Sequence, residues 1–179
     1  MSIEKVVLVA KDGTPVGLQE KMQAHLDGTL HLAFSVLLYR EGKAGREYLL
    51  QQRALGKYHS GGLWTNTCCS HPRDGESMQT AGVRRLMEEM GIDYCGELDD
   101  VAQFIYRAEL DNQLVEHELD HVLLGRVDTL DFTVNPEEVM ASRWIPATEI
   151  AAELANSPQQ YTAWFGTVFQ HAEAAFITR

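Results

Sequence analysis

The stretch WTNTCCSHP, Trp64 to Pro72, concentrates reactive side chains near the middle of the chain. It holds two of the three cysteines, Cys68 and Cys69, and His71 follows two positions after the second. Adjacent cysteines do not readily pair with each other, and an odd number of cysteines does not make a disulfide framework. In an extended segment, Cys69 and His71 share one side while Cys68 faces the other. The spacing therefore indicates a reduced thiol beside an imidazole, available for chemistry or metal binding.

Two carboxylates obey the same alternation in the segment VEHEL. Glu116 and Glu118 converge on one face of the predicted strand, and His117 lies on the other. Two close carboxylates are costly unless they are protonated, solvated or bound to a cation. The other candidates for a shared site are His25, His31 and His71. Imidazole and carboxylate donors suit Zn²⁺, Mn²⁺ or Fe²⁺ without selecting one of these ions. For any single histidine, a place at the surface or a hydrogen-bonding role is the commoner alternative to metal binding.

A predicted helix carries a third group of charges in RRLMEEMGI. Arg85 and Glu89 are four apart and share a helix face, as an ordinary solvated ion pair also does. The frame around them resembles the Nudix box, whose matching residues here are Glu76, Arg84, Glu88, Glu89 and Gly91. Ser70 replaces the opening glycine, and Arg85 replaces the first helix glutamate. Exchanging a hard oxygen ligand for a cation favours binding a diphosphate without hydrolysing it.

The chain as a whole resembles type I isopentenyl-diphosphate Δ-isomerase, a Nudix-fold family. The matching segments, in order, are AHLDGTLHLAFS, QQRALGKY, GLWTNTCCSHP, GES, RRLMEEMG, YRAEL, VEHELDHV and TAWF. They run from about Val6 to about Phe165, and WTNTCCSHP and VEHE are the most specific of them. The resemblance implies an α/β fold of the Nudix type, with mixed β-sheets flanked by helices.

The resemblance also implies metal sites and a catalytic thiol. Five residues match the ligands of the divalent metal site of the family: His25, His31, His71, Glu116 and Glu118. Cys69 matches the catalytic thiol, and Glu118 matches the glutamate that is both ligand and proton-transfer partner. Glu89 matches the ligand of a Mg²⁺ ion that also touches the substrate diphosphate, with the Cys69 carbonyl nearby. The implied cofactors are this Mg²⁺ and one further divalent metal, Mn²⁺ or Zn²⁺.

Other matching residues are implied to bind the substrate. The positions that meet the diphosphate are Lys21, Arg53, Lys57 and Arg85. Tyr106 and Trp164 match aromatic residues that line the site. Ser70 departs from the glycine usual in the family, a difference that concerns the local backbone and not the chemistry.

The implied reaction, reversible conversion of isopentenyl diphosphate to dimethylallyl diphosphate, moves a double bond through a tertiary carbocation. One acid must protonate the terminal methylene, and a base acting from the other face must remove a different proton, so two groups are needed. Our interpretation places Glu118, with Tyr106 beside it, on the protonating side and Cys69 as the acceptor, with the roles exchanged in reverse. The Trp164 face would stabilise the cation by about 0.5–2 kcal/mol, although core packing is its alternative role.

The remaining cysteines and histidines lie outside this pattern. Cys68 and Cys95 are interpreted as packing residues. The histidines interpreted as surface or structural are His59, His117, His121 and His171.

The elements that must position these residues alternate between strands and helices. KVVLV predicts a strand, QEKMQAHL a short helix ended by Asp27-Gly28, and TLHLAFSVLLYR with REYLLQQR a hairpin. A helix is predicted from Glu76 to Met90, then a second hairpin in VAQFIYRAEL and VEHELDHVLLGRV, and a last strand in SRWIP. Pro146 is expected to open a helix to about Leu154, and Ser157 and Pro158 to begin the C-terminal helix. Frequent hairpins indicate mixed or antiparallel pairing.

Length and charge limit the classes of function. A chain of 179 residues with 45% hydrophobic residues fits one domain, 1–179. A net charge of −11 argues against a nucleic-acid partner, and no apolar run is long enough to span a bilayer. The start lacks a secretory signal, so we expect a cytoplasmic protein, a monomer that acts on a small molecule. The alternatives are a Nudix diphosphohydrolase and a non-catalytic module that binds a metal or a lipid diphosphate.

Overall fold

The long strand β3 (His31–Gly42) organises the part of the chain that the computed structural model describes, residues 3–178. The other strands, in chain order, are β1 (Lys5–Val9), β2 (Pro15–Glu20), β4 (Gly45–Arg53), β5 (Trp64–Thr65), β6 (Cys68–Ser70), β7 (Asp99–Glu109), β8 (Val115–Arg126) and β9 (Val139–Pro146). The helices are α1 (Lys21–Asp27), α2 (Met78–Arg85), α3 (Ala147–Asn156) and α4 (Phe165–Ile177). A π-helical turn covers Leu86–Met90, and single 3₁₀ turns cover Asp111–Gln113 and Pro158–Gln160.

Strand β3 has neighbours along both of its edges. On one edge it runs parallel to β8, from the pair His31 and Glu118 onward. On the other edge it meets β1 at Leu8, then β6, then β4, all antiparallel. Strand β7 extends the sheet beyond β8, and β9 pairs with β4. The sheet is mixed, one of the two pairings expected from the hairpins, and four separate strands are brought beside β3.

Helices cover both faces of this sheet, which explains why β3 is an almost unbroken apolar run rather than an alternating one. One core lies against α3 and α4 and includes Leu37, Leu50 and Phe165. The other lies against α2 and includes Phe34, Leu86 and Cys68. The mixed α/β class expected from the sequence is confirmed.

The predicted helix from Glu76 to Met90 is two elements. Helix α2 begins at Met78, where the Ser77 hydroxyl accepts from the Thr80 amide as an N-cap. The last turn is π-helical because the Gly91 amide donates to the carbonyl of Leu86, five residues back, as well as to Met87. Gly91 has φ +67°, and a Cβ there would run into the Thr133 carbonyl, so glycine is required at this helix end.

The expected start of the C-terminal helix at Ser157 and Pro158 is wrong. Those residues open a single 3₁₀ turn, and α4 begins at Phe165. The chain between them is held extended beside β5, because the Thr162 amide donates to the Trp64 carbonyl at 3.0 Å. This detour carries Trp164 towards the centre of the sheet. The shorter helix expected from Pro146 is confirmed as α3.

Within residues 3–178, no helix is both long and apolar enough to cross a lipid bilayer.

Candidate active site and metal centre

Three neighbouring strands deliver the predicted chemical groups to one place. Strand register sets His31 of β3 beside Glu118 of β8, and Ser35 of β3 beside Cys69 of β6. Side chains from these strands and their neighbours enclose a cavity of about 20 Å³. It is lined by Ser35, Arg53, Tyr58, His59, Cys69, Ser70, His71, Glu116, Glu118 and Trp164. The thiol and the carboxylates predicted to act together therefore face the same enclosed space.

The parity predicted for the two cysteines is confirmed. Cys68 is fully buried in the core under α2, while Cys69 lines the cavity on the other side. Burial raises the pKa of the Cys69 thiol, and the nearby Arg53 guanidinium acts in the opposite sense. Arg53 Nη1 lies 3.9 Å from Cys69 Sγ, close enough to stabilise a thiolate when one forms.

The three predicted histidine ligands converge with Glu118. Ligand atoms of His25, His31, His71 and Glu118 all lie within 4.8 Å of one another. His71 Nε2 is 3.2 Å from Glu118 Oε1, and His31 Nε2 is 3.5 Å from the same oxygen. Burial and the neighbouring His31 lower the pKa of His71 well below its usual value, so this ring is neutral.

Backbone carbonyls fix which ring nitrogen faces the cluster. His25 Nδ1 donates to the Lys21 carbonyl and His31 Nδ1 to the Thr29 carbonyl, each at 2.8 Å. Their Nε2 atoms are buried without a hydrogen-bond partner. A buried imidazole lone pair without a donor is costly, whereas imidazoles tethered through Nδ1 are typical metal ligands. The donor set therefore fits a divalent cation.

The pKa values of the two glutamates are shifted in opposite directions. Burial and the charge of Glu118 raise the pKa of Glu116 above its usual value. Burial also acts to raise the pKa of Glu118, but His31, when its Nε2 is protonated, outweighs burial and lowers it. The Tyr106 hydroxyl donates to Glu116. Tyr106 is the cross-strand partner of Glu118 in the backbone register, and its side chain reaches diagonally to Glu116.

A second, polar cleft of about 70 Å³ adjoins the first and shares Cys69 and His71 with it. It is lined by the four predicted diphosphate residues, Lys21, Arg53, Lys57 and Arg85, together with Glu89. Carboxylates pair with two of these cations: Lys21 forms an ion pair with Glu4 at 2.7 Å, and Lys57 forms one with Glu138. An incoming diphosphate would replace such partners.

Arg85 and Glu89 are joined in this cleft. Arg85 Nη2 lies 2.5 Å from Glu89 Oε1, and Gln51 Nε2 donates to the other oxygen of Glu89 at 3.0 Å. Glu76 makes a bidentate ion pair with Arg84, both bonds at 2.8 Å, and so braces the helix rather than entering the cleft. Ser70 lies in strand β6, paired with Phe34, an extended conformation that serine adopts without strain.

Trp164 closes the first cavity. Its side chain is 3% exposed, and its Nε1 donates to Asn66 Oδ1 at 3.2 Å. The ring lies 6.4 Å from that of Tyr106, and the Arg53 guanidinium is 5.6 Å from its centre. Trp164 is thus a core residue that also presents a face to the site.

Sequence reasoning missed three residues of this site. Tyr58 lines both cavities, and its ring packs edge-on against His25 at 5.5 Å. Asp120, next after Glu118 on the same strand face, accepts from the Ser35 hydroxyl at 2.7 Å, and burial raises its pKa well above the usual value. His59, interpreted as surface or structural, is not at the surface: it is 1% exposed and lines the cavity. Asp120 could have been predicted from the sequence, because it continues the series of acidic residues at every second position that begins with Glu116 and Glu118.

The fold and this site define a Nudix-type protein with a buried histidine and glutamate cluster. A model of the NUDIX domain matches residues 29–165, and the chain belongs to that family. Within it, the chain is one of the isopentenyl-diphosphate Delta-isomerases. The protein of that name from Photobacterium profundum is 62% identical over 94% of this chain and 93% of its own length. Those from Aliivibrio fischeri (strain MJ11) and Burkholderia multivorans are 49% and 47% identical and cover 93% and 98% of this chain, and 93% and 97% of their own lengths.

Solved structures agree with the fold. The crystal structure of DR0079 from Deinococcus radiodurans has a TM-score of 0.71 at 15% identity, covering 93% of this chain and 98% of its own. The MutT protein from Methanosarcina mazei has a TM-score of 0.62 at 18% identity, covering 81% and 94%. At such identities the likeness concerns the fold alone.

Proposed function

We propose that the chain catalyses the reversible 1,3-allylic isomerisation of isopentenyl diphosphate to dimethylallyl diphosphate, transposing a C=C bond by protonation and deprotonation. The observation that carries this proposal is the pair of adjoining cavities with Cys69 at their boundary: one holds Glu118, Glu116 and Trp164, and the other holds four cations. The names of the relatives at up to 62% identity support it independently.

The cationic cleft anchors the charged end of the substrate. Lys21, Arg53, Lys57 and Arg85 provide the donors, and Glu89 would help to hold a Mg²⁺ ion, which would supply further positive charge to the diphosphate. Anchoring a remote group uses its binding energy to orient the small apolar tail. The neighbouring cavity, at about 20 Å³, has room for about one water, so the tail must widen it on entry.

Cys69 and Glu118 exchange protons with the tail. In the forward direction Glu118 gives its proton to the terminal methylene, which becomes a methyl group and leaves a tertiary cation. Cys69 then takes a proton from the adjacent carbon, and the electron pair of that C–H bond forms the new double bond. In reverse, the thiol donates and the carboxylate accepts.

A forward turnover leaves the proton on Cys69. Burial raises the pKa of this thiol and so favours its neutral form. Before the next cycle Cys69 loses its proton to solvent and Glu118 takes one up from solvent, and the Arg53 charge beside Cys69 stabilises the thiolate so formed. Tyr106, bonded to Glu116, holds the neighbouring carboxylate in place.

The positive intermediate must meet an aromatic face and no water. Trp164 and Tyr106 supply that face, and a cation against an indole is worth about 0.5–2 kcal/mol. Water would trap the cation as an alcohol, and the burial of Trp164 keeps solvent away.

The residues that would hold the second divalent ion, Mn²⁺ or Zn²⁺, are His25, His31, His71, Glu116 and Glu118. When bound, the ions supply positive charge, one at the diphosphate and one at the Glu118 carboxyl, which it orients and polarises. We also propose that the protein is a monomer that acts on a small molecule. We also propose a cytoplasmic location without nucleic-acid or membrane partners, consistent with the net charge of −11 and three unpaired cysteines.

Product analysis separates this proposal from the alternative of a Nudix diphosphohydrolase. Incubated with isopentenyl diphosphate and Mg²⁺, the protein is expected to yield dimethylallyl diphosphate and no inorganic phosphate, because Arg85 occupies a position where hydrolases carry a glutamate ligand. The products are resolved by ³¹P and ¹H NMR. Phosphate release without the allylic isomer would overturn the proposal, and binding without turnover would identify a non-catalytic module.

A further inference from the structure

His59 is built into the site in a way that the family pattern does not require. The side chain is 1% exposed, and its Nε2 has no hydrogen-bond partner although it lies 3.1 Å from Glu116 Oε1. Ligand atoms of His25, His59 and Glu116 lie within 4.8 Å of one another, a second group beside the one around Glu118.

The surroundings hold His59 in the pose of a ligand. Its Nδ1 lies 3.0 Å from the Ser60 hydroxyl, and its carbonyl accepts from Arg53 at 3.1 Å. Ser60 has φ +55°, an uncommon conformation for a non-glycine residue, and its amide is held by the Asp111 carboxylate at 3.1 Å. Tethering Nδ1 turns the Nε2 lone pair towards the cluster, as in His25 and His31.

We propose that His59 is a sixth protein ligand of the metal centre. His25 belongs to both groups, its Nδ1 is occupied by the Lys21 carbonyl, and its Nε2 has one lone pair. Both groups must therefore surround a single ion. The combined donors are His25, His31, His59, His71, Glu116 and Glu118, four nitrogens and two carboxylates.

This donor set determines which ion binds and what it does. Four imidazoles favour Zn²⁺, Fe²⁺ or Co²⁺ over Mg²⁺, which prefers oxygen. Six protein donors complete an octahedral shell, so no position remains for a reactive water. The centre would then orient and polarise Glu118 without supplying hydroxide, which suits isomerisation and not hydrolysis.

The test uses Co²⁺ alone as the probe and rests on the proposed metal centre, not on activity. We expect X-ray absorption of the Co²⁺-loaded wild type to fit four imidazoles, and that of His59→Gln and His59→Ala to fit three. The weak visible absorption of six-coordinate Co²⁺ should become several-fold stronger in His59→Ala. Chelator competition should show a loss of Co²⁺ affinity of roughly 10–100-fold or more.

The control is His121→Asn, which removes a partly buried histidine bonded to Asp100 and should leave all three readouts unchanged. Free imidazole should restore the wild-type spectrum of His59→Ala, a rescue that a merely structural role does not predict. Identical imidazole counts and spectra in wild type and both folded His59 variants would overturn the sixth ligand while leaving the five-ligand centre intact. A wild type that binds no Co²⁺ would overturn both.

Discussion

Replacing Cys69 with alanine is expected to lower the rate of isomerisation by roughly 10³-fold or more, in the range that a positioned proton-transfer group contributes. The sulfur lies at the boundary of the two cavities, where the diphosphate cleft meets the space for the hydrocarbon tail. Alanine removes the acceptor of the second proton but leaves the four cations of the cleft in place. The substrate should therefore still bind, so kcat falls much further than KM changes. Steady-state kinetics on isopentenyl diphosphate measure both.

Cys68→Ala is the matched control, since the two cysteines are adjacent and face opposite sides of β6. Its loss should cost about 1 kcal/mol of folding free energy and leave turnover within a few fold. Equal damage from both substitutions would mean that the loss is structural, and normal turnover of Cys69→Ala would remove the thiol from the reaction.

Glu118→Gln is expected to abolish turnover. The glutamine amide has no acidic proton to give to the substrate, and it is a poorer metal ligand than a carboxylate. The change therefore removes both the acid and a donor to the cation. His31 and His71, which lie 3.5 and 3.2 Å from the same Glu118 oxygen, should then hold the ion less firmly. Turnover and metal content are measured on the same preparation.

Glu116→Gln separates the two roles of Glu118. It removes a carboxylate ligand two residues away in the same cavity but leaves the proposed acid in place. We expect weaker metal retention with a smaller loss of turnover. Appreciable turnover of Glu118→Gln, or an equal loss in both variants once each is saturated with metal, would contradict the assignment of Glu118 as the proton donor.

Alternation along strands made much of the site predictable. The period of two fixed which sides Cys68, Cys69 and His71 occupy, and it brought Glu116 and Glu118 to one face. Hairpin signals gave the antiparallel pairs β3–β4 and β7–β8, because turn residues between apolar runs act locally. These features depend on neighbours in the sequence, and a single chain is enough to read them.

Long-range packing decided the features that the sequence did not give. His59 sits in a loop without periodicity. Its inward orientation depends on Arg53 and Ser60 nearby and, through the Ser60 amide, on the Asp111 carboxylate from a distant part of the chain. The start of α4 was misplaced because Ser157 and Pro158 carry helix-start signals that a tertiary contact between Thr162 and Trp64 overrides. Tyr106 and Glu118 are register partners, yet the Tyr106 side chain leans diagonally to Glu116.

Isomerisation in deuterated water tests the central claim most directly, because two separate groups must give and take different hydrogens. We expect dimethylallyl diphosphate that carries solvent deuterium in the methyl group made from the terminal methylene. The deuterium is measured by ²H NMR and mass spectrometry at early conversion. An allylic product carrying no solvent deuterium would mean that one group moves the same hydrogen within the substrate, and would contradict the opposed roles of Cys69 and Glu118.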